Sequence, residues 1–482
     1  MRLGIFSYLF IFALYCVVLH LINYNQINRD GILYLTQASY FLNDKYSEAA
    51  KIYNWPFYSF LIALLSKLTN LPLIISSYFI NIFSSIILFF YYLKTLTLLS
   101  ENKSIIFFGS FVFFCSIPVM DNYLTMIIRD HGMWAMFFMS VYYFLCWQKN
   151  FDFKFILISQ LAIVAGFLFK PELILYIFVI SFFYLLNLIF TKEDKNKQKI
   201  ITQLLFLPFL IIFFCLLWFF SFDELSGDYI FSKIFDLVKK PLLFFENLNS
   251  PIKIADDDRY LLGLAEDYIL SFKIIFFSYI ALSKWIFGFS IFNLYFAFIS
   301  LKRKILIKKN YVYILTLFFL TSFLVTFFHL LATNILSSRF LIPNWLICYL
   351  FSALGLQYLW NENKDKVYLK LKVFKLFLIS FFIISQIIII MEKSGNNFGN
   401  SVSEWIIDQE ISTEKIYFND RRLAYYSGIF PYEFSKIDYL VHEYLIIDLK
   451  SHFSEASLKS YQAAKYIPDY NNPKVIIYKR SY

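Results

Sequence analysis

The sequence predicts a mainly helical, polytopic bundle of membrane-crossing helices. Three observations carry that reading. First, the composition is 59% hydrophobic and 22% aromatic but only 16% charged, and the mean hydropathy is +0.60. A soluble chain of 482 residues could not hide so much apolar surface. Second, the apolar residues come in runs close to the roughly twenty residues needed to cross a hydrocarbon core. Third, Lys and Arg collect in every second short loop, as the positive-inside rule requires. The net charge of +10 therefore reads as membrane orientation and not as nucleic-acid binding.

The runs lie near 3–23, 73–97, 104–119, 130–147, 153–170, 172–190, 200–220, 273–300, 311–332, 339–358 and 373–391, about eleven spans. The four between 104 and 190 are short and closely spaced, and two of them could be re-entrant or tilted. The first run, Leu3–Ile22, is followed by no small-x-small cleavage site, so it reads as an uncleaved span and not a signal peptide. With the N-terminus inside, the inward loops carry Lys103; Lys149 and Lys154; Lys192, Lys195, Lys197 and Lys199; Lys302, Arg303, Lys304, Lys308 and Lys309; and Lys364, Lys366, Lys370 and Lys372. An odd number of spans then places the C-terminal tail outside. The cysteines Cys16, Cys115, Cys146, Cys215 and Cys348 all fall in or beside apolar runs, with no metal-type spacing. They read as small buried apolar side chains.

Three outward segments are long enough to hold structure. In the loop 24–72, Gly31–Leu42 and Pro56–Leu68 have apolar residues at helical spacing and read as helices lying in the interface. The loop 221–271 is mixed in charge, and its Asp256-Asp257-Asp258-Arg259 run reads as a solvated face. The tail opens on a linker-like Lys393-Ser394-Gly395-Asn396-Asn397. Strands are expected at Lys415–Asn419, Tyr444–Leu449 and Lys474–Lys479, with helices at Arg421–Ser427 and Ser454–Lys465. The expected organisation is a transmembrane domain over 1–391 and a small extracytoplasmic α/β domain over 392–482.

The ionisable residues at the outer boundary of the spans are the candidates for chemistry, because an ionisable group at membrane depth is a functional hypothesis by default. They are Arg29 and Asp30 after the first span; Arg129, Asp130 and His131 before the fourth; Lys170 and Glu172 between the fifth and sixth; and Arg339 at the start of the tenth. Few acids among several cations suits transfer from a lipid phosphate. A carboxylate takes the proton of an acceptor hydroxyl as it attacks a sugar's anomeric carbon. Cations hold the phosphate and stabilise the charge growing on it. A glycoside hydrolase, by contrast, needs a second acid to protonate a poor leaving group.

Each residue also has a plainer reading. Arg29 can snorkel to headgroups, and Arg339 can bind them. Asp30 can be a loop acid at a helix end. Arg129 and Asp130 can cap a helix, His131 can be a hydrogen-bonded boundary residue, and Lys170-Pro171-Glu172 can be a turn.

Five short motifs carry a resemblance. They are Arg29-Asp30-Gly31-Ile32-Leu33-Tyr34-Leu35; Trp55-Pro56-Phe57-Tyr58; Ile128-Arg129-Asp130; Phe169-Lys170-Pro171-Glu172; and Ser338-Arg339-Phe340-Leu341-Ile342-Pro343. In order and spacing, over roughly 1–390, they resemble the GT-C superfamily of polyprenyl-phosphate-sugar glycosyltransferases. The chain is most similar to the bacterial branch with the lipid A aminoarabinose transferase, the protein O-mannosyltransferase-like enzymes and the Rgt-type lipopolysaccharide-core transferases.

The resemblance implies an inverting transferase of a bacterial inner membrane that uses a polyprenyl-phosphate-sugar donor on the outer leaflet. The acceptor would be a hydroxyl on a lipid, glycan or protein. Asp30 matches the family's first-loop catalytic acid and Asp130 the acid of the second outer loop. Arg129, Lys170 and Arg339 are candidate phosphate contacts, with Arg29, His131 and Glu172 at the same boundary. Where O-mannosyltransferases carry an Asp-Glu pair, Asp30 is followed here by Gly31, which departs from a metal-dependent or mannose-specific pattern. No cofactor is required by the sequence, and a divalent metal stays open as an alternative with no ligand set behind it. A transporter or flippase of lipid-linked glycans, or a polymerase, is the alternative. A flippase should hold its ionisable groups near mid-bilayer, within the spans.

Overall fold

The computed structural model describes residues 4–22, 27–53, 55–116, 123–190, 197–221, 269–303, 309–333, 337–362, 398–409, 411, 415–418, 421–427, 443–448, 461–469 and 472–480. The expected span at 373–391, the linker at 393–397 and nearly all of the loop 221–271, with its Asp256–Asp258 run, lie outside the described residues. The chain forms two compact units. One is drawn from Met1–Leu14, Ile82–Leu124 and Arg129–Phe382, the other from Tyr15–Asn81, Thr125–Ile128 and Ile383–Tyr482.

The helices in chain order begin with α1 (Ile5–Ile22), α2 (Arg29–Leu42), α3 (Tyr46–Ile52), α4 (Phe57–Thr69), α5 (Leu73–Leu99) and α6 (Ile105–Phe114). Next come α7 (Asp130–Asn150), α8 (Phe153–Phe169), α9 (Ile174–Phe190), α10 (Lys197–Ser221), α11 (Ile269–Phe289) and α12 (Ile291–Lys302). The last are α13 (Lys309–Thr333), α14 (Ile342–Glu362), α15 (Phe398–Asp408) and α16 (Arg421–Tyr426).

Among the described residues, five helical stretches are long and apolar enough to cross a membrane: Ile5–Ile22, Leu73–Leu99, Pro171–Phe190, Asn310–Leu330 and Ser338–Glu362. A bent pair could make a sixth. Large apolar side chains point outward on these helices, Phe6 and Phe190 among them, each about four-fifths exposed. That is the pattern of helices whose solvent is lipid and not water.

Two expected spans change form. Among the described residues of the run 104–119 the helix is the ten-residue α6, which at 1.5 Å per residue is about 15 Å long, shorter than a full crossing. The run 273–300 is not one helix. It breaks at Ser290, where φ is 74°, and the two arms meet at 93°. The neighbouring Gly288 explains the location. A Cβ there would lie 2.2 Å from the Trp345 ring, so the chain passes flat against the indole just before it turns. The Trp345 indole N–H donates to the Trp285 carbonyl at 3.0 Å and holds that packing.

Within the larger unit, small and polar residues bring helices close, the packing that membrane-spanning helices also use. The Ser352 hydroxyl of α14 donates to the Asn293 carbonyl of α12 at 2.9 Å. One turn on, a Cβ on Gly355 would lie 1.9 Å from the Phe296 carbonyl oxygen. The Asn344 side chain accepts from Ser322 at 2.8 Å and donates to the Phe319 carbonyl at 2.8 Å, tying α14 to α13.

The second unit carries a four-stranded sheet of order β1-β2-β4-β3. Its strands are β1 (Ile416–Phe418), β2 (Tyr444–Asp448), β3 (Tyr461–Asp469) and β4 (Asn472–Arg480). β1 runs parallel to β2, and the other pairs are antiparallel. Strict alternation gives the sheet two apolar faces. Ile446, Val475 and Ile477 pack with Val402, Ile406 and Leu423 of α15 and α16. Leu445 and Ile447 lie on the other face with Tyr417 and Tyr478. β1, β2 and β4 fall where alternation predicts them. The helix expected over Ser454–Lys465 does not extend to its end, because Tyr461–Lys465 is the start of β3. The Ala463-Ala464-Lys465 helix formers are overridden by pairing along the whole of β4. In the same unit, α2 packs on α3, α4 and α16.

Candidate functional site

The larger unit gathers charged side chains where several helices start and stop. Proline begins the construction. Pro171 disfavours helix for the residue before it, and here α8 ends with Lys170 extended at φ −145° and ψ 112°. Pro171 then opens a 3-10 turn that leads into α9. Two glycines let this corner approach α7. A Cβ on Gly132 would lie 2.4–2.6 Å from the Phe169 ring, and one on Gly166 would lie 2.2 Å from Leu173 and 3.1 Å from Met136. Without those side chains, Phe169 lies across the first turn of α7, and Lys170 arrives beside Asp130.

The Lys170 ammonium donates to Asp130 Oδ1 at 2.7 Å, and both side chains are over nine-tenths buried. Asp130 is the first residue of α7, where a carboxylate is favoured by the helix dipole. The charges of Arg339 and Arg129 also act on Asp130. The Lys170 ammonium lies 3.8 Å from the centre of the Phe340 ring. The Arg339 guanidinium lies 5.5 Å from it, and the His329 ring is 4.5 Å away. The Phe340 ring thus adjoins three basic side chains, and for the two cations such a contact is worth about 0.5–2 kcal/mol. The turn that carries Arg339 and Phe340 is anchored by Thr326 of α13, whose hydroxyl donates to the Phe340 carbonyl at 3.0 Å.

Glu172 completes the set. Its Oε1 lies 3.8 Å from His329 Nδ1, and Lys170 and Arg129 add their charges. Its Oε2 is buried with no hydrogen-bond partner among the described residues. Lys170, Glu172, Tyr176, Thr326, His329 and Phe340 line a cavity of about 30 Å³ whose other walls are apolar. Three fixed cations face two carboxylates, leaving positive charge in excess even with His329 neutral. Such a set holds an oxyanion by charge-assisted hydrogen bonds.

Arg129, Asp130, Lys170, Glu172 and Arg339 thus converge. His131 engages elsewhere: its Nδ1 is 3.1 Å from the Ser85 hydroxyl, and its ring packs edge-on to Trp134. His329 was not among the sequence candidates, although an ionisable residue near the end of the apolar run 311–332 was a visible signal.

Arg29 and Asp30 belong to the other unit, at the start of α2, with Arg29 exposed and Asp30 half-buried. The adjoining Asn28 forms a two-way amide clasp with Ile127. Its Nδ2 donates to the Ile127 carbonyl at 3.2 Å, and its Oδ1 accepts from the Ile127 N–H at 2.8 Å. Asn81 adds a bond to the Met126 carbonyl at 2.9 Å and accepts from the Tyr58 hydroxyl at 2.7 Å. A Cβ on Gly31 would lie 2.8 Å from Asn28 Oδ1 and 2.9 Å from the Ile127 Cβ. The glycine after Asp30 is therefore a steric requirement of this clasp, which leaves no room for a second acid there.

Among the described residues, no three His, Cys, Asp or Glu side chains are placed to hold a metal ion. Cys16, Cys115, Cys146 and Cys348 are free thiols. Comparison with known proteins returns no matching family model and no matching curated protein.

Proposed function

We propose that this chain is a multi-pass membrane glycosyltransferase of the GT-C type, working at the outer face of a bacterial inner membrane. It moves one sugar from a polyprenyl phosphate to a hydroxyl of a lipid, glycan or protein acceptor. The observation that carries the reading is the convergence of Arg129, Lys170 and Arg339 on one buried corner around Asp130. These residues come from separate helix ends, and the resemblance had named them for the donor phosphate. In this reading Asp130 holds Lys170 in place and is not itself the base.

Asp30 is assigned the proton transfer. The acceptor oxygen attacks the anomeric carbon as its proton passes to the Asp30 carboxylate. The bond from that carbon to the phosphate oxygen breaks, and polyprenyl phosphate leaves with its charge held by the cations. One displacement inverts the anomeric centre. No step requires a metal.

The test is Asp30→Asn in cells whose surface glycans are profiled. Loss of one glycan modification, with insertion and abundance unchanged, is the expected result. Unaltered glycans would remove Asp30 from the mechanism.

A further inference from the structure

We infer that the cavity beside the cation cluster is a sugar subsite that takes one neutral hydroxyl or hydroxymethyl group of the donor, with Glu172 Oε2 as its acceptor. The inference rests on the transferase reading and names what the donor carries next to its phosphate.

Three observations point to that occupant. First, Glu172 Oε2 is buried, makes no hydrogen bond among the described residues, and lines the cavity. Its other oxygen lies 3.8 Å from His329 Nδ1. A buried carboxylate oxygen left unsatisfied is costly, and a ligand O–H donor removes that penalty. Second, the volume of about 30 Å³ is room for one or two water-sized groups, which matches a single substituent. Third, the charges select the substituent. Lys170 and Arg129 act on Glu172 and disfavour an ammonium group. Glu172 itself repels a carboxylate or second phosphate. A neutral hydroxyl remains, and the Phe340 and Tyr176 rings supply apolar walls for the carbon that bears it.

Lys170 joins the two subsites. It is fixed by Asp130 on one side and borders the Glu172 cavity on the other. A phosphate held by the cations therefore carries its sugar toward Glu172.

The experiment uses the full chain in lipid nanodiscs. Two kinds of probe are titrated: decaprenyl phosphate, and decaprenyl phosphate bearing glucose, galactose, mannose or N-acetylglucosamine. For the unmodified protein, at least one sugar-bearing lipid should bind about tenfold or more tighter than the bare phosphate, the range of one charge-assisted hydrogen bond. Glu172→Leu should erase that preference, and because it removes a negative charge beside the cations, bare decaprenyl phosphate should bind at least as tightly as it does to the unmodified protein. Glu172→Gln, which keeps an acceptor oxygen, should retain part of it. A preference that survives Glu172→Leu overturns the subsite. So does loss of both affinities in both variants, because Glu172 would then be only a counter-ion of the cluster. No binding of either lipid by the unmodified protein overturns the transferase reading itself, and the subsite with it.

Discussion

Replacing Gly132 by Ala should break the corner on which the cation cluster is built. The new Cβ would stand 2.4 Å from the nearest Phe169 ring carbon, whereas ordinary contacts begin near 3.4 Å. The ring must retreat by about 1 Å, and it directly precedes Lys170 in the chain. A retreat transmitted to Lys170 would stretch its 2.7 Å bond to Asp130 beyond hydrogen-bond length. Overpacking of this kind costs about 1–3 kcal/mol. The measurement is unfolding of the purified protein in mixed micelles, paired with decaprenyl phosphate binding. Gly4→Ala is the control, since nothing lies within 4 Å of its Cβ position. Phe169→Leu supplies the relief. Alone it should destabilise by leaving a gap, yet combined with Gly132→Ala it should recover at least about 1 kcal/mol relative to the sum. Strict additivity, or a Gly132→Ala protein as stable as the control, would refute the reasoning.

Two further outcomes follow from the same packing. Lys170→Met leaves Asp130 buried without its nearest counter-charge. The loss should fall near the lower end of about 3–5 kcal/mol, because Arg129 and Arg339 remain. Adding Asp130→Leu should restore much of the stability in the same micelle assay, but not lipid phosphate binding. Gly355→Ala meets a backbone oxygen at 1.9 Å and not a ring that can turn. Its destabilisation should therefore reach or exceed the top of the about 1–3 kcal/mol range, and equal stability of Gly355→Ala and Gly4→Ala would show that α12 and α14 are not in close contact.

The sequence made the helical, apolar character plain because composition and Lys placement are global properties. It also named Arg129, Asp130, Lys170, Glu172 and Arg339, because charges beside long apolar runs stand out. What it could not show was which of them meet. His131 and Asp130 are neighbours in sequence, but one faces Ser85 and the other Lys170. Helical rotation of about 100° per residue separates them, and only packing decides which direction holds the site. Phe340 was one of 62 phenylalanines, and nothing in its local pattern marks it as the ring that adjoins three basic groups. Gly31, Gly132 and Gly166 carry no charge or periodicity, so their steric roles emerge only from the neighbours they admit. The break at Ser290 was similarly hidden in an apolar run, and β3 hid behind alanines and a lysine.

The helix that begins with Arg29 and Asp30 packs against α16, and their unit draws on early, middle and late stretches of the chain. During synthesis, therefore, that helix is inserted long before its last neighbour leaves the ribosome. An early stop would strand α2 with one flank uncovered, inviting proteolysis and withholding any activity that depends on Asp30. Completion of translation is thus what covers that flank.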